Sequence, residues 1–83
     1  MSLFFTKHAL DKIDILARHQ IAVTKAQVEE AVAAPDSVDE ARAPLVFVEK
    51  ALDEARVLRV AYKREGNVQW IITFYPVKKK SDE

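Results

Sequence analysis

Residues Val68 to Lys80 read VQWIITFYPVKKK, and the side each residue takes decides the fold. In an extended chain successive side chains point to opposite faces. Trp70, Ile72 and Phe74 then share one side, and Gln69, Ile71, Thr73 and Tyr75 the other. The first set reads as core. The second carries an amide, a hydroxyl and a phenol on an otherwise apolar strand that ends in lysines.

Working outward, Arg56 to Lys63 is the partner strand: Leu58, Val60 and Tyr62 alternate with Val57, Arg59, Ala61 and Lys63. Both apolar faces meet one core if Tyr62 lies opposite Trp70, Val60 opposite Ile72 and Leu58 opposite Phe74, since a one-residue slip turns a strand inside out. That register leaves Glu65, Gly66 and Asn67 as a three-residue loop, with Gly66 or Asn67 supplying the left-handed residue such loops use. It also places Arg59 opposite Thr73, Lys63 opposite Gln69 and Val57 opposite Tyr75, all on the face away from the core.

Before these strands the texture is helical. Leu3 to Thr6 reads as a short first strand. Thr6 offers an N-cap for a helix with Ala9, Leu10, Ile13, Leu16 and Ala17 at helical spacing, ending near His19. Thr24 and Gln27 match the capping box and Val23 with Val28 the hydrophobic staple, so a second helix runs from about Lys25 to Ala34, where Pro35 ends it. Leu45 to Leu52 is a further strand, and Ser37 to Ala41 a short edge strand. The predicted fold is α+β: two N-terminal helices packed on one face of a three- to four-stranded antiparallel sheet. Residues 1–77 form a single domain and residues 78–83 a charged tail.

The chain has 83 residues and no cysteine, which excludes a disulfide framework and cysteine-based zinc or redox sites. A core of this size is close to the minimum for independent folding, leaving room for a homo-oligomer or another partner. MSLFFTKHALD is too short an apolar run for a signal peptide or a spanning helix, so the expected setting is cytoplasmic, away from a membrane. The net charge of zero hides an asymmetry. Ala26 to Ala55 carries eight acids against two bases, whereas Arg56 to Lys80 carries seven bases against one acid. A neutral chain divided in this way can still present a basic surface to a polyanion.

A sheet face carrying Arg59, Lys63, Gln69, Thr73 and Tyr75 suits single-stranded RNA: arginine bridges a phosphate, lysine adds charge and a phenol stacks on a base. The same pattern also describes the wet side of an ordinary antiparallel sheet. His8 and His19, eleven residues apart on one helix, are separated by roughly 16 Å and cannot share a metal. His8, at the helix start, is a candidate proton shuttle. With one glycine in the chain, a phosphate-cradling loop is excluded, and no nucleophile motif or metal-spaced carboxylate cluster is present. No cofactor is expected. Attack of an RNA's own 2′-hydroxyl fits the remaining inventory, because the substrate carries the nucleophile and the protein positions it, stabilises charge and moves protons.

FTKHA at the start, the helix ending in ARH, the PDSV after the second helix, and LRVAY and IITFYP at the end resemble a family of small bacterial and phage domains. That family is distantly similar to the RelE and BrnT toxins, ribonucleases of toxin–antitoxin pairs with two helices on an antiparallel sheet. The resemblance runs from Phe4 to Pro76 and implies an endoribonuclease in which Arg59 contacts the scissile phosphate and Tyr75 is the aromatic acid–base residue. Lys50 or Glu49 matches a charged residue on the central strand, and His8 matches the histidine of the FTxHA motif. Lys50, Lys63, Lys78, Lys79 and Lys80 would hold the RNA backbone, and an antitoxin-like protein from an adjacent gene is the implied partner. A non-enzymatic module that binds protein or RNA through the same face is the alternative.

Overall fold

The hairpin turn sets the frame of the sheet. In the computed structural model, which describes residues 2–79, Gly66 takes φ 60° at the first of two central turn positions, where a II′-type hairpin places its glycine. The loop is therefore Gly66–Asn67, not the three residues expected, and Glu65 pairs with Val68. From there the ladder runs Arg64 with Gln69, Lys63 with Trp70 and Tyr62 with Ile71.

Continued without interruption, that ladder would set Phe74 opposite Arg59, on the side away from the core. A bulge between Ala61 and Tyr62 prevents this: Ile72 is the extra residue, and beyond it Ala61 pairs with Thr73, Val60 with Phe74, Arg59 with Tyr75 and Leu58 with Pro76. Ile71 and Phe74, three residues apart, are consequently both 0% exposed in the core. The expected register, and the assignment of Trp70 and Ile72 to the core, are corrected on this ground. Trp70 lies on the opposite side, 36% exposed. Gln69 moves to the core side, and the pairs Arg59–Thr73, Lys63–Gln69 and Val57–Tyr75 are replaced by Arg59–Tyr75, Lys63–Trp70 and Val57–Val77.

In chain order the elements are β1 (Ser2–Phe5), α1 (Lys7–Arg18), α2 (Lys25–Ala33), β2 (Ser37–Asp39), β3 (Leu45–Ala51), β4 (Arg56–Glu65) and β5 (Val68–Lys78). The sheet has five strands in the order β1-β5-β4-β3-β2 and is mixed, not purely antiparallel with three or four strands. β1 joins β5 in parallel, with Phe4 beside Trp70 and Phe5 beside Ile71, while every other pairing is antiparallel. Ser2 donates its N–H to the Asn67 carbonyl, tying the first strand to the hairpin turn.

Both helix starts form as their sequences require. The Thr6 side chain caps α1 by accepting from Ala9 N–H and donates its own hydroxyl to the Ile71 carbonyl, which fixes the helix to β5. At α2 the Thr24 hydroxyl accepts from Gln27 N–H while the Gln27 side chain accepts from Thr24 N–H, a complete capping box. Past the C-cap His19, Gln20 takes φ 64° and closes α1, with Ile21 and Gln20 N–H groups returning to the carbonyls of Leu16 and Ala17, a Schellman closure.

Ala9 and Leu16 of α1, Val28 and Ala31 of α2, and Val23 between them form one cluster with Val46, Val48, Leu58, Val60, Tyr62, Ile71 and Phe74 from one side of the sheet. No polar or charged residue among those described is buried in it. Each large aliphatic or aromatic side chain fully buried there contributes about 1.5–3 kcal/mol.

A candidate nucleic-acid interface on the sheet

The strand pairings sort the other side of the sheet into rows. Tyr75 of β5, Arg59 of β4 and Glu49 of β3 form one row, Thr73, Ala61 and Phe47 the next, and Trp70, Lys63 and Leu45 the third, which Phe4 of β1 extends. Arg59 and Tyr75 are thus direct cross-strand neighbours, a pairing in which Cβ atoms stand about 4.5–5.5 Å apart.

Arg59 is held from two directions. Its guanidinium carbon lies 5.4 Å from the centre of the Phe47 ring, and its Nε is 3.8 Å from Glu49 Oε2. Arg42, from the turn before β3, sits 5.7 Å from the same ring. Arg59 and Glu49 are both more than a third exposed, and ion pairs of that kind contribute only about 0–1 kcal/mol. An arriving phosphate can therefore compete with Glu49, the more so because no hydrogen bond to a described residue occupies the guanidinium.

Tyr75 has its own cation. Lys12 of α1 donates to the Thr73 hydroxyl at 3.3 Å and stands 5.5 Å from the Tyr75 ring centre. Beyond Arg59, toward the end of β5, an open depression of about 440 Å³ is lined by Glu49, Val57, Arg59, Val77, Lys78 and Lys79. β5 continues through Lys78, and Lys79 donates its N–H to Ala55, so these two lysines stand beside Arg59 on ordered backbone. Lys80 lies outside the described residues.

Two candidate contacts stand apart from this face. Lys50 pairs with Leu58 on the core side, and its ammonium donates to the Ala34 carbonyl at the end of α2, a C-terminal capping role. Gln69 likewise takes the core side, among Leu3, Tyr62 and Arg64. His8 is exposed in the first turn of α1 and makes no hydrogen bond or ion pair with Arg59 or Tyr75. Lys63, at the far end of the face, is 3.3 Å from Glu65.

The face also holds residues that strand alternation did not single out: Phe4, Trp70, Phe47, Lys12 and Arg42. Phe47 is legible once the β3 register is known. Phe4 and Trp70 depend on the parallel pairing and the bulge, and Lys12 on the path of α1, none of which a local sequence pattern specifies.

Among the described residues no three His, Cys, Asp or Glu side chains cluster as a metal site, and no helix is long and apolar enough to cross a membrane. No family model matches the chain, and no curated protein or solved structure matches it.

Proposed function

We propose that this chain is a RelE-like domain that binds single-stranded RNA on the Arg59 side of its sheet and cleaves it without a metal, as a toxin-type ribonuclease. The observation that carries the reading is the direct cross-strand pairing of Arg59 with Tyr75. It sets a charge-stabilising group beside a hydroxyl that can carry a proton. In the reaction the 2′-oxygen of the RNA bonds to the adjacent phosphorus, the bond from phosphorus to the 5′-oxygen breaks, and the proton leaving the 2′-hydroxyl ends on the departing 5′-oxygen. Arg59 stabilises the extra negative charge of the phosphorane, and Tyr75 moves the proton. Lys78 and Lys79, which line the depression beside Arg59, hold the flanking backbone. In this reading the protein works in the cytoplasm, with an antitoxin-like partner as its natural restraint.

A second reading, RNA binding without cleavage by a degenerate relative, has its own observation. Glu49 pairs with Arg59, and Lys12 with Thr73 and the Tyr75 ring, so both principal residues have partners within the fold.

Filter binding over a salt series tests the shared part of both readings. Affinity for single-stranded RNA should fall steeply with salt, and changing Lys78 and Lys79 together to Gln should flatten the slope of log affinity against log salt by about 0.7 per lost contact. Salt-independent binding would point to a protein partner instead.

A further inference from the structure

The two exposed aromatic rings among the described residues lie at the opposite end of the face from the Lys78–Lys79 depression. Phe4 and Trp70 are 48% and 36% exposed, and their ring centres stand 5.2 Å apart at an interplanar angle of 30°. They sit side by side on parallel neighbouring strands, and Lys63 lies directly across from Trp70 on the next strand. Neither ring belongs to the buried cluster, so the core does not account for their position.

From this arrangement we infer that the Phe4–Trp70 pair is a base-stacking platform for the same single-stranded RNA that meets Arg59 and Tyr75, with Lys63 contacting a phosphate between them. The inference rests on the RNA-binding reading above and adds to it a second contact point and a minimum length of substrate. Lys63 lies four residue steps along β4 from Arg59, about 13 Å at the rise of an extended strand. Stacked bases rise about 3.4 Å along one strand, so a segment of about four nucleotides spans the two points. The floor between them is the Thr73–Ala61–Phe47 row, where Ala61 brings no bulk and Phe47 offers a third ring.

Charge favours a polyanion as the occupant. Arg42, Arg59, Lys12, Lys63, Lys78 and Lys79 stand on or around the face, against Glu49, Glu65 and Asp39, the last beside Phe47 on the β2 edge. The Lys63–Glu65 pair is half-exposed on both sides and leaves the ammonium free to exchange partners at little cost. Stacking on aromatic rings along a basic groove is the general means by which proteins hold single strands without sequence preference.

Trp70 is the chain's one tryptophan, so its emission reports directly on the platform. The test is a titration with a fluorescein-labelled RNA of about ten nucleotides, 2′-O-methylated to block cleavage, reading anisotropy and tryptophan emission together. The expected result is quenching of Trp70 on the same curve as the anisotropy rise. Trp70→Ala should weaken binding about ten- to a hundred-fold, the scale of one lost base–aromatic stack, with Trp70→Phe recovering most of the loss. Phe4→Ala, checked for folding by circular dichroism, should weaken it in the same direction. An anisotropy rise with unchanged Trp70 emission and an unaffected Trp70→Ala variant would overturn the platform while leaving the RNA-binding reading in place. No anisotropy change would overturn both. A dimer in sedimentation that Trp70→Ala dissolves would also overturn the platform, by making a second copy its occupant.

Discussion

Two sides of one strand carry different chemistry in this molecule. Along β4, Leu58, Val60 and Tyr62 are at most 4% exposed and pack into the cluster with the helices, whereas Val57, Arg59 and Lys63 on the alternate positions are half-buried. On the cluster side, buried apolar side chains pack on one another, and cations reach rings only at the rim, where Lys25 stands 5.2 Å from the Phe5 ring centre and Arg64 donates to the Tyr62 hydroxyl. On the other side, rings meet cations: Phe47 with Arg42 and Arg59, and Tyr75 with Lys12. The cluster side holds the fold together without specifying a ligand. The Arg59 side carries exposed paired charge and aromatic surface that a ligand can reach.

The bulge at Ile72 keeps the two sides distinct, and the largest expected effect tests it. Phe74→Ala should cost about 3–5 kcal/mol, a large part of the stability of so small a domain, because it empties a fully buried site. Trp70→Ala should cost about 1 kcal/mol or less, since that ring lies outside the buried cluster and is 36% exposed. Urea melts compare the two. Equal losses, or the reverse order, would mean that the sides are assigned wrongly.

A sharper version removes the bulge itself. Deleting Ile72 joins the pair Tyr62–Ile71 directly to Ala61–Thr73 in an unbroken ladder, so both sides should keep their residues at a cost of about 1–2 kcal/mol. Cross-strand contacts between Val60 and Phe74 in an NMR spectrum of the deletion variant should persist. Their loss would show that the bulge does more than set the register.

What the chain's local patterns specify, and what they leave out, follows the same division. Helix starts are local events, so Thr6 and the Thr24–Gln27 box were legible directly, as were the α+β class and the strand character of all five segments. Alternation placed Leu58, Val60 and Phe74 inside and Arg59, Thr73 and Tyr75 outside. It failed at Trp70, Ile72 and Gln69 because one extra residue exchanges the sides, and the need for it arises only when a two-residue turn and the position of Phe74 conflict. The parallel addition of β1 was illegible for a related reason: Ser2–Phe5 carries no signal of which edge it joins. Arg59 and Tyr75 were both singled out from sequence, but their direct pairing is a product of the bulge.

The smallest expected effect belongs to the β3–β4 turn, away from both sides. Asp53 accepts from the Arg56 side chain at 2.9 Å and from the Ala55 and Arg56 backbone N–H groups, and these bonds hold its carboxyl below the usual aspartate range, the Arg56 side chain foremost. A carboxylate whose folded pKa is depressed adds stability that is fully present above its unfolded value near 4 and is lost as pH falls through the folded value. The urea midpoint of the wild type should therefore fall more than that of Asp53→Asn between about pH 5 and pH 2. Parallel curves would remove the turn's contribution without touching either side of the sheet.

The most direct measurement of the Arg59 side is RNA turnover set beside RNA binding in Arg59→Ala, with Tyr75→Phe as the companion that keeps the ring and removes only the hydroxyl. An interaction made with the phosphorane should lower cleavage by about 10² to 10³-fold, while binding of uncleavable RNA changes much less. Tyr75→Phe should bind normally and lose cleavage by about 10²-fold or more. If purified wild type leaves a mixed RNA pool intact, with and without ribosomes, or if Arg59→Ala lowers binding and cleavage by the same factor, the cleavage centre is contradicted. A face that still binds RNA would then be a binding surface alone.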